Sequence, residues 1–111
     1  MITTGWPYAN GAHIEVLDLL NPTSNCAPGL EFPIEIQGAT GGIVDETPII
    51  CGGWNGTFGT FEERCFVMNS DSFHTFPLLK ERWYSSSITI GNELWITGGS
   101  KDNSSEIINL G

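Results

Sequence analysis

Basic residues are scarce. Lys and Arg together number 4 against 13 Asp and Glu, a formal charge of −9. Nucleic-acid phosphates and anionic lipid headgroups both need clustered cations, so neither is a partner for this segment. Charge as a whole is sparse at 15% of residues, while 40% are hydrophobic and 11% aromatic. Disordered chains show the reverse balance, so the composition implies a folded chain, and 111 residues suit one small domain. No run of 18 apolar residues occurs, which leaves no membrane-spanning helix in this segment. The opening Met1-Ile2-Thr3-Thr4-Gly5-Trp6-Pro7 lacks the basic and apolar regions of a signal peptide.

Helical periodicity is nearly missing as well. The longest candidate, His13 to Leu20, alternates Ile14 and Val16 against Glu15 and Asp18, which fits a strand at least as well, and Asn21-Pro22 ends it. What the chain has instead is 14 glycines, 6 prolines and short β-prone runs between them. The runs predict strands at Ile14–Leu19, Asn25–Leu30, Ala39–Val44, Thr47–Gly53, Cys65–Asn69, Ser72–Phe76, Ser86–Ile90, Glu93–Gly98 and Glu106–Leu110. Asp45-Glu46 and Gly91-Asn92 read as hairpin turns, and Trp54–Glu63 as a Gly-rich loop. Hairpin connections make the sheets antiparallel.

The runs repeat. Ile2-Thr3-Thr4-Gly5, Ile49-Ile50-Cys51-Gly52 and Trp95-Ile96-Thr97-Gly98 match at spacings of 47 and 46 residues, and a second glycine follows in Gly52-Gly53 and Gly98-Gly99. Glu15-Val16-Leu17-Asp18-Leu19 aligns with Glu106-Ile107-Ile108-Asn109-Leu110, and Cys65-Phe66-Val67-Met68-Asn69 more loosely with both. Ala39–Val44 aligns with Ser85–Ile90.

In period, unit and glycine placement the chain resembles the kelch repeat, a unit of about 50 residues that forms one four-stranded blade of a β-propeller. The resemblance implies an all-β fold of antiparallel blades stacked face to face. It makes Gly5, Gly52, Gly53, Gly98 and Gly99 the structural glycines that close the second strand of each blade, where backbone crowding favours a residue free to take positive φ. The motif is divergent: Met68 or Val67 stands near the usual third-strand Tyr, and Phe73 and Cys26 stand near the usual fourth-strand Trp. Strand counting divides residues 1–111 into a partial blade (1–33), a complete blade (34–77) and a second partial blade (78–111), about two and a half in all. A closed propeller needs four to eight, and no polar cap is visible at Met1 or Gly111. The expectation is an incomplete kelch-type propeller whose remaining blades come from the same or another chain.

On that layout Cys51 and Cys65 face each other on neighbouring antiparallel strands, which makes them a candidate disulfide; the alternative is two buried free thiols. Cys26 is left over. Asn55-Gly56-Thr57 and Asn103-Ser104-Ser105 are candidate N-glycosylation sequons after successive diglycines, and with the disulfide they favour an extracellular or secretory-pathway location over the cytoplasmic alternative. Trp54, Phe58 and Phe61 in the post-diglycine loop are candidate partner contacts, or else pack over the blade rim. Trp83, Tyr84 and Trp95 read as inter-blade core.

No P-loop, GxSxG, HExxH or EF-hand pattern occurs, and the cysteines and histidines lack metal-site spacing. His13 and His74 read as partly exposed strand residues, and Asp45-Glu46 and Glu62-Glu63 as solvated turn acids rather than a catalytic pair. The expected function is a non-catalytic, cofactor-free propeller scaffold that binds a protein partner or a glycan in a secreted or ectodomain protein. Two alternatives accompany it: an intracellular kelch adaptor of a ubiquitin ligase, and a fragment of a galactose-oxidase-like enzyme. The copper site of the latter cannot be placed on Tyr8 and Tyr84.

Overall fold

The computed structural model describes residues 14–16, 20–21, 27–28, 31–70, 72–99 and 104–109. Among them there are strands and turns but no helix. The centre is a four-stranded antiparallel meander of β4 (Thr40–Val44), β5 (Thr47–Cys51), β8 (Arg64–Met68) and β9 (Phe73–Pro77), in the order β4-β5-β8-β9. A three-stranded antiparallel sheet follows, with β10 (Ser86–Ile90), β11 (Glu93–Thr97) and β12 (Ser105–Asn109) in order. Two short strands, β1 (Glu15–Val16) and β2 (Ala27–Pro28), pair antiparallel inside the first two runs expected to be strands. The remaining expected strands lie within one or two residues of these. Pro48, which has no N–H to donate, has only β4 beside it and sits outside the β5–β8 ladder.

The segment after the first diglycine departs from expectation. Trp54–Glu63 is not an open loop. It holds β6 (Trp54–Asn55) and β7 (Thr60–Phe61), which join β3 (Ile36–Gln37) in a small three-stranded sheet ordered β3-β6-β7. Local hydrogen bonds close this hairpin. The Asn55 carbonyl accepts from Gly59 N–H at 2.8 Å, its side-chain oxygen accepts from Phe58 N–H at 3.0 Å, and Gly56 N–H donates to the Glu35 carbonyl at 2.8 Å. An Asx side chain that turns its own backbone is a familiar route to a tight connection.

The inner strands β5 and β8 of the central sheet are buried on both faces, and alternation along them decides which residue goes where. One face carries Val44, Ile49, Cys51, Cys65 and Val67, and these pack with Leu78 and with Leu94, Ile96 and Ile108 of the three-stranded sheet. The other carries Ile50 and Phe66, which pack with Ile14, Phe32, Ile34 and Ile36. Phe32 meets Phe66 and Phe73 at ring centroid distances of 4.8 and 5.0 Å. Each fully buried aliphatic or Phe side chain of this kind stabilises the fold by about 1.5–3 kcal/mol.

Register makes the repeat structural. Thr40 pairs with Cys51 and Ser86 with Thr97, each 46 residues from its counterpart. Cys51 pairs with Cys65, and its counterpart Thr97 pairs with Ser105. Cys65 therefore corresponds to Ser105 and Phe66 to Glu106, one residue away from the sequence alignment of these strands. The connection before β12 is six residues shorter than the one before β8, since the paired residues are separated by 14 in one sheet and 8 in the other. Because a one-residue shift exchanges the two faces of a strand, the correction decides which side chains of β12 point inward.

Candidate functional site

The diglycines lie where neighbouring segments cross. Gly52 and Gly53 take φ of 68° and 100°, Gly98 and Gly99 take 76° and 71°. Space is as restrictive as conformation. A Cβ on Gly52 would sit 2.5 Å from the Arg82 carbonyl oxygen, and one on Gly99 would sit 2.6 Å from the Trp83 carbonyl oxygen. Gly53 N–H donates to the Arg82 carbonyl at 2.6 Å, and Trp83 N–H donates to the Gly99 carbonyl at 2.8 Å. Gly5 lies outside the described residues.

Arg82 ties both diglycines together. Its carbonyl holds Gly53, while its guanidinium donates to the Gly98 carbonyl at 2.7 Å. The same guanidinium reaches Glu106 at 2.6 Å, the Ser104 carbonyl at 3.0 Å and the Ser104 hydroxyl at 2.9 Å. Glu106 completes the knot by accepting from Leu79 N–H at 2.7 Å. Sequence reasoning missed this pair. The available signal was Glu106 itself, which alternates in phase with the inward-facing Ile108.

Cys51 and Cys65 are joined by a disulfide with a Cα separation of 4.0 Å. Gly52 N–H donates to the Arg64 carbonyl at 3.1 Å, linking the residue after one cysteine to the residue before the other. That is the pattern of a non-hydrogen-bonded pair, where side chains approach most closely. At the counterpart positions, the Ser105 hydroxyl donates to the Thr97 hydroxyl at 2.9 Å. A disulfide fits an oxidising environment. Cys26 lies outside the described residues.

The first sequon has another role. Asn55 is only 2% exposed, and its amide nitrogen donates to Glu62 at 3.1 Å. This packing leaves no room for a glycan on that nitrogen. Glu62 is likewise no solvated turn acid: it is 4% exposed and takes the Arg64 guanidinium on both oxygens, at 2.6 and 3.1 Å. The hydrogen bond to Glu62 raises the Arg64 guanidinium above its ordinary pKa, helped by the charges of Glu62 and Glu63 and opposed by partial burial. Arg64 also stands over the Phe66 ring at 4.9 Å. Asn103 lies outside the described residues, as does His13. His74 is exposed on β9, with Asn69 Nδ2 3.0 Å from its Nδ1.

The aromatic candidates divide. Phe58 is 71% exposed at the hairpin tip. Trp54 and Phe61 meet edge to face at 5.1 Å, and Phe61 continues to Trp83 at 5.3 Å and Trp83 to Tyr84 at 4.8 Å. Trp83 and Tyr84, expected in an inter-sheet core, are instead 41% and 68% exposed. The reason is backbone geometry. Tyr84 takes φ of 53°, and its N–H donates to the Gly38 carbonyl at 2.9 Å, which turns both rings outward over Gly38.

Among the described residues, no group of three or more His, Cys, Asp or Glu is placed to hold a metal ion. No helix there is long and apolar enough to cross a membrane. The chain matches no protein-family model and no curated protein. The class defined by the geometry is an all-β chain of antiparallel sheets stacked face to face with a 46-residue internal offset.

Proposed function

We propose that this chain is a segment of a kelch-type β-propeller that acts as a non-catalytic protein-interaction scaffold in a secreted or ectodomain protein. One observation carries the reading: the exposed face of the second sheet is the counterpart of the covered face of the first. Trp95 corresponds to Ile49 and Ile107 to Val67. Ile49 and Val67 are buried under Leu94, Ile96 and Ile108, whereas Trp95, Ile107, Ile88 and Ile90 are 38%, 50%, 62% and 50% exposed. Ile88, Trp95 and Ile107 lie side by side in one cross-strand row. A contiguous apolar sheet face of this kind marks an interaction surface. Within the chain the three-stranded sheet lays its Leu94–Ile96 face on the Ile49–Val67 face of the sheet before it, and we take this as the stacking rule. By that rule a further repeat covers this row, and the rims of the stacked sheets are left to meet partners. The Cys51–Cys65 bridge supports the extracellular setting.

Sedimentation velocity across a concentration series tests the reading. The unaltered chain is expected to self-associate through its open sheet faces. The double variant Ile88→Asp, Ile107→Asp is expected to sediment as a monomer with its melting temperature kept. A sharp, reversible, monomeric melting transition of the unaltered chain would overturn the proposal.

A further inference from the structure

The row Trp54–Phe61–Trp83–Tyr84 belongs to neither hydrophobic core. It gathers rings from β6, from β7 and from the segment between β9 and β10, with successive centroids 5.1, 5.3 and 4.8 Å apart. Two unusual backbone features build it. Gly38, at φ of 69°, lies beneath Trp83, and a Cβ there would come within 2.7 Å of Trp83 Cδ1 and Nε1. Tyr84 holds a left-handed conformation that bulky residues rarely adopt. Such strain persists only where the surroundings impose it, and the ring that it carries is 68% exposed.

Charge selects the occupant. The chain carries a net charge of −9, and its two described arginines are already engaged inside it by Glu62 and Glu106. Glu63 and Glu81, each two residues from a ring of the row, are exposed. Ring faces attract cations, and the planar guanidinium of Arg stacks on them better than the ammonium of Lys does. The chain shows this contact once already, in Arg64 over Phe66 at 4.9 Å.

We propose that the Trp54–Phe61–Trp83–Tyr84 row is a docking surface for an extended, arginine-bearing peptide segment of a protein partner. The proposal rests on the interaction-scaffold reading and gives that reading a partner class.

The test is a titration of the full chain followed by tryptophan fluorescence. The probes are a capped nonapeptide with two arginines in a Ser/Pro background, the same peptide with glutamates in place of the arginines, and cellohexaose. The arginine peptide is expected to bind saturably, and several-fold more weakly at about 0.3 M than at about 0.05 M salt. Tyr84→Gly is the chosen variant because glycine accepts the local φ without strain, so the fold is kept while the ring is lost. It is expected to weaken binding about tenfold. Ile43→Ala, an exposed residue of β4 outside the row, is expected to leave binding unchanged. Equal binding of the glutamate peptide, full binding by Tyr84→Gly, or binding of cellohexaose alone would each overturn the inference. Sedimentation of the same samples separates the two readings: self-association without peptide binding removes this inference only, and peptide binding by a non-associating monomer removes the stacked-repeat reading only.

Discussion

The Arg82 guanidinium lies 2.6 Å from the Glu106 carboxylate, with 1% and 6% of the two side chains exposed. The charge of each is matched, and the arginine's remaining bonds go to Gly98 and Ser104. Removing one partner strands the other charge in the interior, which costs about 3–5 kcal/mol. Arg82→Met is therefore expected to lower the unfolding free energy by that order, read as a fall in the urea midpoint. Arg82→Lys is expected to fare little better, because a single ammonium cannot reproduce the forked geometry. An Arg82→Met, Glu106→Leu double variant should lose less than the two single changes combined. An unchanged midpoint in Arg82→Met would refute the structural role.

The disulfide predicts a second stability effect. Cys51 and Cys65 are 1% and 0% exposed, so native material should resist mild reductants and show no titratable thiol at these positions. Their sequence separation of 14 corresponds to about 3 kcal/mol in the chain-entropy account. Replacing both with Ala is expected to lower unfolding free energy by roughly that amount. Peptide mapping under non-reducing conditions would reveal the linked peptides directly, and free thiols there would contradict the assignment.

Asn55 predicts an unoccupied sequon. Its amide nitrogen is committed to Glu62 and its oxygen to Phe58 N–H. Folded material from a secretory host should carry no glycan at Asn55, read by mass spectrometry of the peptide. Asn55→Ala leaves the Glu62 oxygen and the Phe58 N–H without these bonds and is expected to cost about 1–3 kcal/mol. A glycosylated, cooperatively folded product would contradict the observed packing.

The turn at Asp45-Glu46 offers a gain in stability. Both residues have positive φ, 48° and 63°. A two-residue hairpin of this kind needs positive φ at both central positions, which suits Asn-Gly far better than Asp-Glu. Holding a side chain in the left-handed region costs about 1–2 kcal/mol. Glu46 is exposed, so Glu46→Gly removes that strain without losing a core contact. The melting temperature should rise, with about 1 kcal/mol gained. A fall would show that the turn is held by something other than local conformation.

These features were unequally legible in the sequence. The strands were readable because apolar residues alternate between turn residues, and the two-residue turns at 45–46 and 91–92 set their registers. The cysteine pairing followed from the same alternation. The β6–β7 hairpin was not readable, because it depends on Asn55 bonding its own turn and on a sheet partner, β3, nearly twenty residues earlier. The Arg82–Glu106 pair spans 24 residues, and a charged pair in an acidic chain reads as surface until burial is known. Trp83 and Tyr84 misled because large aromatics usually enter a core. Their outward turn comes from one φ value that composition does not reveal.

The repeat itself can be tested by chemistry at one position. Thr97 and Ser105 stand in the second sheet where Cys51 and Cys65 stand in the first, and they share a hydrogen bond of 2.9 Å between their hydroxyls. If the register equivalence is right, the geometry that bonds the cysteines is available there too. Thr97→Cys with Ser105→Cys should then oxidise spontaneously to a second disulfide, visible as a loss of two hydrogen masses and of both thiols. The loop closed is shorter, with a separation of 8 residues, so the stabilisation expected is about 2.5 kcal/mol rather than 3. The control is Thr97→Cys with Glu106→Cys, the pairing that the one-residue-shifted sequence alignment favours. There the second side chain points to the opposite face of the sheet, so no bridge forms and the buried partner of Arg82 is lost as well. A bridge at 97–106, or none at 97–105, would mean that the two sheets are not register-equivalent and that the inference from covered face to exposed face fails with it.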